Sequence, residues 1–511
     1  NAEFLLIGNN KFGEKFQLNY MAGANFMYSD QNIYGGDVEN MTYKNQWYWN
    51  FANNINNVTE NGWRRVTNSV FGSVQMAYNE YVSLDITARN DWSSTLPKDN
   101  NSYFYPSFNL GFVASDFVRT HWNKMPEWIT FAKVRLSAAK VGKDAPPYAI
   151  YNRWEGGYLK GQAKKPELSS TKANNNLRPE TSWSYEAGLD MKFLNNRLGF
   201  DFTYYYTRTT DQIMTIPEAA PWKLRWINSG LIVNKGVEAM IYATPVQTKD
   251  FTFNLNVNLS HNTSTVKELN EKKKHIYFEG DQFMPVYVGA VEGGKLGDIY
   301  AKRMYKRDEN GQIIMKNGVP VFTTDEQYSL DHPIGNIQPD LLMSVTPSFT
   351  YKGFTLSALF DMKFGGDVVS VSEAIATSHG ISKRTEQRGE LLLPGMNEDG
   401  TVNTQRIDAQ LFYQAVGGRQ QAVAEEFVYN ASFIRLKEIS FGYSFPSLLL
   451  RKTPVSSLRV SFVGRNLAYL MKHTPGTSPE GGYDTSMFSQ ALDFSSLPYS
   501  RTFGFSINVG F

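Results

Sequence analysis

Along much of this chain apolar and polar residues alternate one by one. In "FTFNLNVNLS", Phe251, Phe253, Leu255, Val257 and Leu259 take one side, and Thr252, Asn254, Asn256, Asn258 and Ser260 the other. In "SWSYEAGLDMKF" the run Trp183, Tyr185, Ala187, Leu189, Met191, Phe193 does the same. The pair Asn195-Asn196 follows, and then Leu198, Phe200, Phe202, Tyr204 and Tyr206 resume the alternation. Period two places such residues on opposite faces of a β-strand, and two runs joined by an asparagine pair predict a hairpin. The chain closes on the same pattern: Phe503, Phe505, Ile507, Val509 and Phe511 alternate with Thr502, Gly504, Ser506, Asn508 and Gly510.

Applied throughout, the pattern predicts about fifteen strands. They fall near 2–8, 15–28, 66–78, 82–91, 104–114, 131–141, 182–193, 198–208, 236–244, 251–260, 341–351, 354–364, 433–445, 457–467 and 501–511. Their lengths centre on roughly ten residues, enough for a tilted strand to cross a bilayer core. The connections alternate in length. Short ones cover 9–14, 79–81, 115–130, 194–197, 245–250, 352–353 and 446–456. Between them lie 29–65, 92–103, 142–181, 209–235, 261–340, 365–432 and 468–500, rich in Gly, Asn, Asp and Pro. Up-and-down strands put alternate connections at the same end, so one end carries tight turns and the other long loops. That asymmetry belongs to transmembrane antiparallel β-barrels of the bacterial outer membrane, with turns in the periplasm and loops outside. The final strand then descends to the periplasm and ends on an aromatic at the membrane boundary. Loop length costs little free energy, so shortening 365–432 is expected to do less damage than removing 501–511.

Composition fits this reading. Of 511 residues 14% are aromatic, and the mean hydropathy is −0.40 because alternation averages a lipid face with a wet one. Lys and Arg number 51 against 49 Asp and Glu, a balance that argues against a nucleic-acid surface. With no cysteine there is no disulfide framework, zinc–thiolate site or cysteine nucleophile. An odd strand number cannot close an antiparallel ring, and an open edge in hydrocarbon is prohibitive. Further strands are therefore expected before Asn1.

Candidate chemistry is sparse. His121, His261, His275, His332, His379 and His473 form no ligand spacing, and no G-x-S-x-G or P-loop occurs. "DENGQ" (308–312) and "NEDGT" (397–401) hint at calcium loops but read as ordinary Asx–Gly turns, with Val319 where a bidentate Glu would be needed. Asp85, Glu186, Asp190, Asp201, Glu238 and Asp361 follow the wet face of the strands rather than an acid/base geometry. No metal, cofactor or enzymatic activity is expected. Trp47, Trp49, Trp154, Trp222 and Trp226, with Tyr158, lie in the long loops. Flat rings suit the apolar faces of sugars, and equally peptides, loop packing or a protein partner.

Several stretches resemble the SusC-like TonB-dependent transporters of Bacteroidetes. They are "RNDWSS" (89–94), the hairpin "LRPETSWSYEAGLDMKFLNNRLGFDFTYYYTRTTDQI", "NASFIRLKEISFGYSFP", "LRVSFVGRNL", "PGTSPEGG" and the terminal "LPYSRTFGFSINVGF". Where the family usually has Asp-Pro-Glu, this chain has Ser478-Pro479-Glu480. The resemblance implies a plugged barrel of about 22 strands, of which residues 1–511 would supply the C-terminal fifteen, with plug and first strands outside. It implies import of oligosaccharides across the outer membrane, with peptides or another nutrient as the alternative. The implied partners are a SusD-like lipoprotein lid, the TonB–ExbB–ExbD complex, and the barrel assembly machinery, which would read Phe503, Phe505, Ile507, Val509 and Phe511. Trp154, Tyr158, Trp222 and Trp226 are the expected ligand contacts. A passive porin, or a secreted glycan-binding or hydrolytic β-protein, remains open from the residues alone.

Overall fold

The computed structural model describes the chain except residues 47, 49–51, 123–124, 160–161, 270–273, 279–282, 477, 483 and 485. For 38–39, 52, 54–59, 155–159, 162–166 and 217 only the backbone is described. Trp47, Trp49 and the side chain of Tyr158 thus lie outside the described set. All fifteen expected strands are present: β1 (Ala2–Phe12), β2 (Phe16–Met41), β3 (Ala52–Tyr78), β4 (Val82–Ser93), β5 (Ser102–Val113), β6 (Ile129–Lys143), β7 (Glu180–Phe193), β8 (Leu198–Pro217), β9 (Leu224–Gln247), β10 (Phe251–Glu268), β11 (Leu341–Tyr351), β12 (Phe354–Phe364), β13 (Phe433–Ser444), β14 (Ser457–Lys472) and β15 (Thr502–Gly510). The fold is all-β, an up-and-down antiparallel array. It divides into two compact units, one of 1–124, 133–188 and 205–233, the other of 125–132, 189–204 and 234–511.

In the first unit β1 to β6 pair in sequence order, each antiparallel to the next. Asn79 and Glu80 turn the β3–β4 hairpin with φ of 49° and 61°. The pairing of β2 with β3 runs from Phe16↔Tyr78 to Met41↔Ala52, through a bulge at Asp37/Val38. Most of 29–65, expected as a loop, is therefore hairpin. Alternation fades in "SDQNIYGGDVEN" because no face there is selected for hydrocarbon, yet the backbone ladder needs no apolar side chains to continue. The same correction applies to β8 and β9, which run into the expected 209–235 loop.

In the second unit β10, β11, β12, β13, β14 and β15 pair consecutively. Registration of β10 on β11 opposes Phe253 to Phe349, Leu255 to Pro347 and Val257 to Val345, and on the other face Asn254 to Ser348, Asn256 to Thr346 and Asn258 to Ser344. The Phe253 and Phe349 rings stack at 4.6 Å, and Asn258 Nδ2 donates to Ser344 Oγ at 3.1 Å. Like thus meets like on both faces, which is what holds a two-faced sheet in one register. Leu194, Asn195 and Asn196 all adopt positive φ, closing the predicted asparagine turn. Rings gather at the turn ends: Phe354 lies 4.5 Å from Tyr443, and Trp128 stacks on Phe193 at 5.7 Å. Amphipathic rings of this kind favour the headgroup level of a bilayer.

The long connections of this unit are not loose. Segments of 261–340, 365–432 and 484–494 share a buried core that includes Met284, Val288, Ile299, Val369, Phe412 and Phe427. Two helices show why the sequence packs there. Val371–Ser378 buries Val371, Ala374 and Thr377; Ala409–Val416 buries Ala409, Phe412, Tyr413 and Val416. Spacings of three and four place these residues on one stripe. Ser370 caps the first helix through Glu373 N, and Asp408 the second through Gln410 N at 2.7 Å. Shortening 365–432 would therefore cost part of a packed core as well as chain entropy, a loss the loop-length argument leaves out.

Candidate ligand-binding site

On the polar face of the second unit, the upper ends of β11 and β12 meet the 479–499 segment around a cavity of about 630 Å³. Lys363, Glu480, Asp484, Gln490, Ser496 and Tyr499 supply its polar lining, while Leu342 and Leu497 are among its apolar walls. Leu497 and Tyr499 are 88% and 50% exposed. One wall is held by ions. The Arg435 guanidinium, brought up by β13, donates from Nη2 to Asp361 Oδ2 at 2.7 Å and lies 2.6 Å from Glu480 Oε2 through Nη1. Lys437 reaches Asp361 Oδ2 at 3.0 Å, and Tyr469 Oη lies 2.8 Å from Ser478 Oγ. Arg435 is 7% exposed, with the Tyr499 ring 5.7 Å away. A buried guanidinium with two carboxylates satisfies the pairing that burial demands. Burial pushes the Glu480 carboxyl above its ordinary range, against the pull of Arg435.

Among the described lining residues, carboxylates, an amide and a hydroxyl converge beside an aromatic ring, a set suited to binding a polar ligand. His121, His332 and His379 each hydrogen-bond through Nδ1 with a carbonyl four residues back, at 2.9, 2.8 and 2.9 Å, and so serve helix ends. Asp308 Oδ1 accepts from Asn310 N at 3.0 Å and Gln312 N at 2.8 Å, and Asp399 Oδ1 from Thr401 N at 3.0 Å: both are Asx turns. Among the described residues no group of three His, Asp or Glu is placed to hold a metal.

The expected tryptophans have different surroundings, all in the first unit. Trp154 begins the hairpin of Trp154–Leu159 and Gln162–Leu168 and is 71% exposed. Trp222 is half-buried. Trp226 packs on the buried cluster of Leu96, Ala145, Ala149, Ile150 and Leu177, and its carbonyl accepts from Asn174 Nδ2 at 3.1 Å. In "RNDWSS", Arg89 binds Asp91 at 2.7 Å and Ser69 Oγ at 2.8 Å, Tyr105 also donates to Asp91, and Ser93 donates to Asp144, which Arg65 meets at 2.9 Å. These groups knit neighbouring strands together. The Phe503, Phe505, Ile507, Val509 and Phe511 side chains are all exposed, and Phe505 faces Phe462 across the ladder. Sequence reasoning missed Tyr499, Leu497 and the Arg435–Glu480 pair. The usable signal was the "SPEGG" run, whose lone Glu480 needed a cation that only pairing in space supplies.

The family model of the TonB dependent receptor-like β-barrel matches residues 4–298. The chain belongs to that family. TonB-dependent receptor P3 of Formosa agariphila is 27% identical over 87% of this chain and 45% of its own length. TonB-dependent receptor SusC of Bacteroides thetaiotaomicron is 25% identical over 83% of the chain and 43% of its own. The RagAB peptide transporter structure superposes with a TM-score of 0.75 over 99% of the chain and 55% of that protein, at 18% identity, a likeness of fold. This TonB-dependent receptor chain therefore spans about half the length of the curated relatives it matches. Its site is the outer membrane, crossed by strands; among the described residues no helix is long and apolar enough to cross. Both relatives are TonB-dependent receptors by name.

Proposed function

We propose that the protein is an active importer of oligosaccharides across the outer membrane, capped by a SusD-like surface lipoprotein. Energy arrives from a TonB–ExbB–ExbD complex through a plug outside these 511 residues. The observation that carries the substrate class is the 630 Å³ cavity, where Tyr499 and Leu497 offer an exposed platform beside Glu480, Asp484 and Gln490. Carboxylates and amides accept and donate to paired hydroxyls, and a ring stacks on the apolar face of a sugar. Trp154, exposed in the first unit, offers a second platform; Tyr158 and Trp222 are proposed to join it, and Trp226 to position it from the packed side. Phe503, Phe505, Ile507, Val509 and Phe511 are proposed as the strand the barrel assembly machinery reads.

One observation favours a peptide cargo instead: Lys363 and Glu480 line the same cavity, and opposite charges suit a zwitterion. Growth decides between them. A host lacking the transporter is grown on defined oligosaccharides or peptides, then complemented with wild type, Tyr499→Ala or Trp154→Ala. Each substitution is expected to weaken glycan uptake by on the order of 1 kcal/mol, about fivefold. A deletion strain impaired only on peptides overturns the glycan reading.

A further inference from the structure

The connection between β13 and β14 is longer than most of the turns at the same end of the strands. It contains a short helical turn, Ser447–Leu450, with Leu450 buried but Leu448 and Leu449 76% and 67% exposed. Arg451 and Lys452 follow at once. The segment is held rigidly: Leu449 N donates to Pro446 O at 3.0 Å, Thr453 N to Leu450 O at 2.9 Å, and Ser456 N to Gly510 O at 2.7 Å. Within this frame Ser447, Arg451, Thr453 and Ser456 line a cavity of about 440 Å³, with Leu448 and Pro454 on its apolar side. Among the described residues no carboxylate pairs with Arg451 or Lys452.

Directly above, the apolar ladder of β14 and β15 begins with Leu458↔Val509, Val460↔Ile507 and Phe462↔Phe505. Phe505 and Ile507 are 80% and 64% exposed. This is the face turned to hydrocarbon, and the connection continues it at the level of the periplasmic headgroups. Two leucines in water at the foot of a lipid-facing ladder would be a hydrophobic liability. At a bilayer boundary they have a solvent, and the adjoining cations face the phosphates.

We propose that this connection is a binding site for one anionic phospholipid of the periplasmic leaflet. The Arg451 guanidinium and the hydroxyls of Ser447 and Ser456 hold the phosphate, Lys452 adds charge, and Leu448 and Leu449 lie along the acyl chains. Charge complementarity and continuity with the lipid face favour a lipid over a soluble protein. The inference goes beyond the import function and does not depend on which nutrient is carried.

The test is native mass spectrometry of the full-length transporter released from membranes in mild detergent, with phosphatidylglycerol or phosphatidylethanolamine added back. The wild type is expected to retain one phosphatidylglycerol in preference to phosphatidylethanolamine. Losing two surface cations in Arg451→Gln/Lys452→Gln should cut retention roughly thirtyfold. Leu448→Ser/Leu449→Ser should cut it as well, whereas Leu411→Ser, an exposed leucine on the packed loops, should not. Heat-modifiable gel mobility reports folding, and Arg451→Gln alone carries the test if the double variant loses it. Equal retention of the two lipids, wild-type retention by the charge variant, or displacement by inorganic phosphate would overturn the proposal. So would loss of the lipid only when a periplasmic protein is removed.

Discussion

Phe427→Ala separates a packed loop body from a merely long loop. The Phe427 ring is fully buried in the shared core of 261–340 and 365–432. The Arg384 guanidinium lies 4.9 Å from its centroid, and Arg384 also binds Glu426 Oε2 at 2.5 Å. A phenylalanine burying about 150–200 Å² is worth at most about 4–5 kcal/mol at 25 cal/mol per Å². Measured Phe→Ala core substitutions cost about 3–5 kcal/mol, and the lost cation–π contact adds up to about 1 kcal/mol. About 4 kcal/mol corresponds to opening nearly a thousandfold more often. Amide hydrogen exchange across 365–432 and trypsin cleavage after Arg384 and Arg388 should both accelerate on that scale. Heat-modifiable mobility and outer-membrane yield should change little, since the ladder of β11, β12 and β13 does not rest on this ring. Unchanged exchange in 365–432 would refute a cooperative core. Equal loss of the strands would refute its separability.

Three further outcomes follow from the fold. A lysine at Leu255, near the middle of the 251–260 span, should cost about 2–4 kcal/mol against lipid and lower outer-membrane yield, while one at Asn254 should be tolerated; equal yields would refute the assigned faces. Removing 501–511 should leave β14 without its partner and the protein degraded in the periplasm, so normal surface levels would sink the role given to the terminal strand. Burial raises the carboxyls of Asp298 and Asp367, both of which accept from Asn336, at 2.7 and 3.0 Å. A folded-state pKa above the unfolded one means the native body binds the extra proton. These two groups should therefore add stability as pH falls through their raised values toward about 3.9, and lose it at higher pH. Exchange corrected for intrinsic rates should show this slope as the difference between wild type and Asp298→Asn; a difference that grows with pH would contradict the assignment.

The strands were legible because their cause is local. Alternation such as Phe253, Leu255, Val257 states which face meets hydrocarbon, and the turn at Asn195-Asn196 needs only residues that tolerate positive φ. Family membership was legible for a related reason, since its motifs are short runs at strand ends and turns. Where the lipid face stops, the signal stops too: β2 and β3 continue well past their alternation because backbone pairing is blind to side-chain polarity. The two capped helices in 365–432 were written in the sequence as apolar residues three and four apart, but too briefly to stand out among the turn residues around them. What no local pattern could state is which distant segments meet. Arg435 finds Glu480 across 45 positions, and Trp226 is packed while Trp154 is exposed, although both looked alike as loop aromatics. Pairing of charges and burial of rings are sums over neighbours in space, so the tertiary structure alone decided the site, while the chain's own periodicity had already decided the sheet.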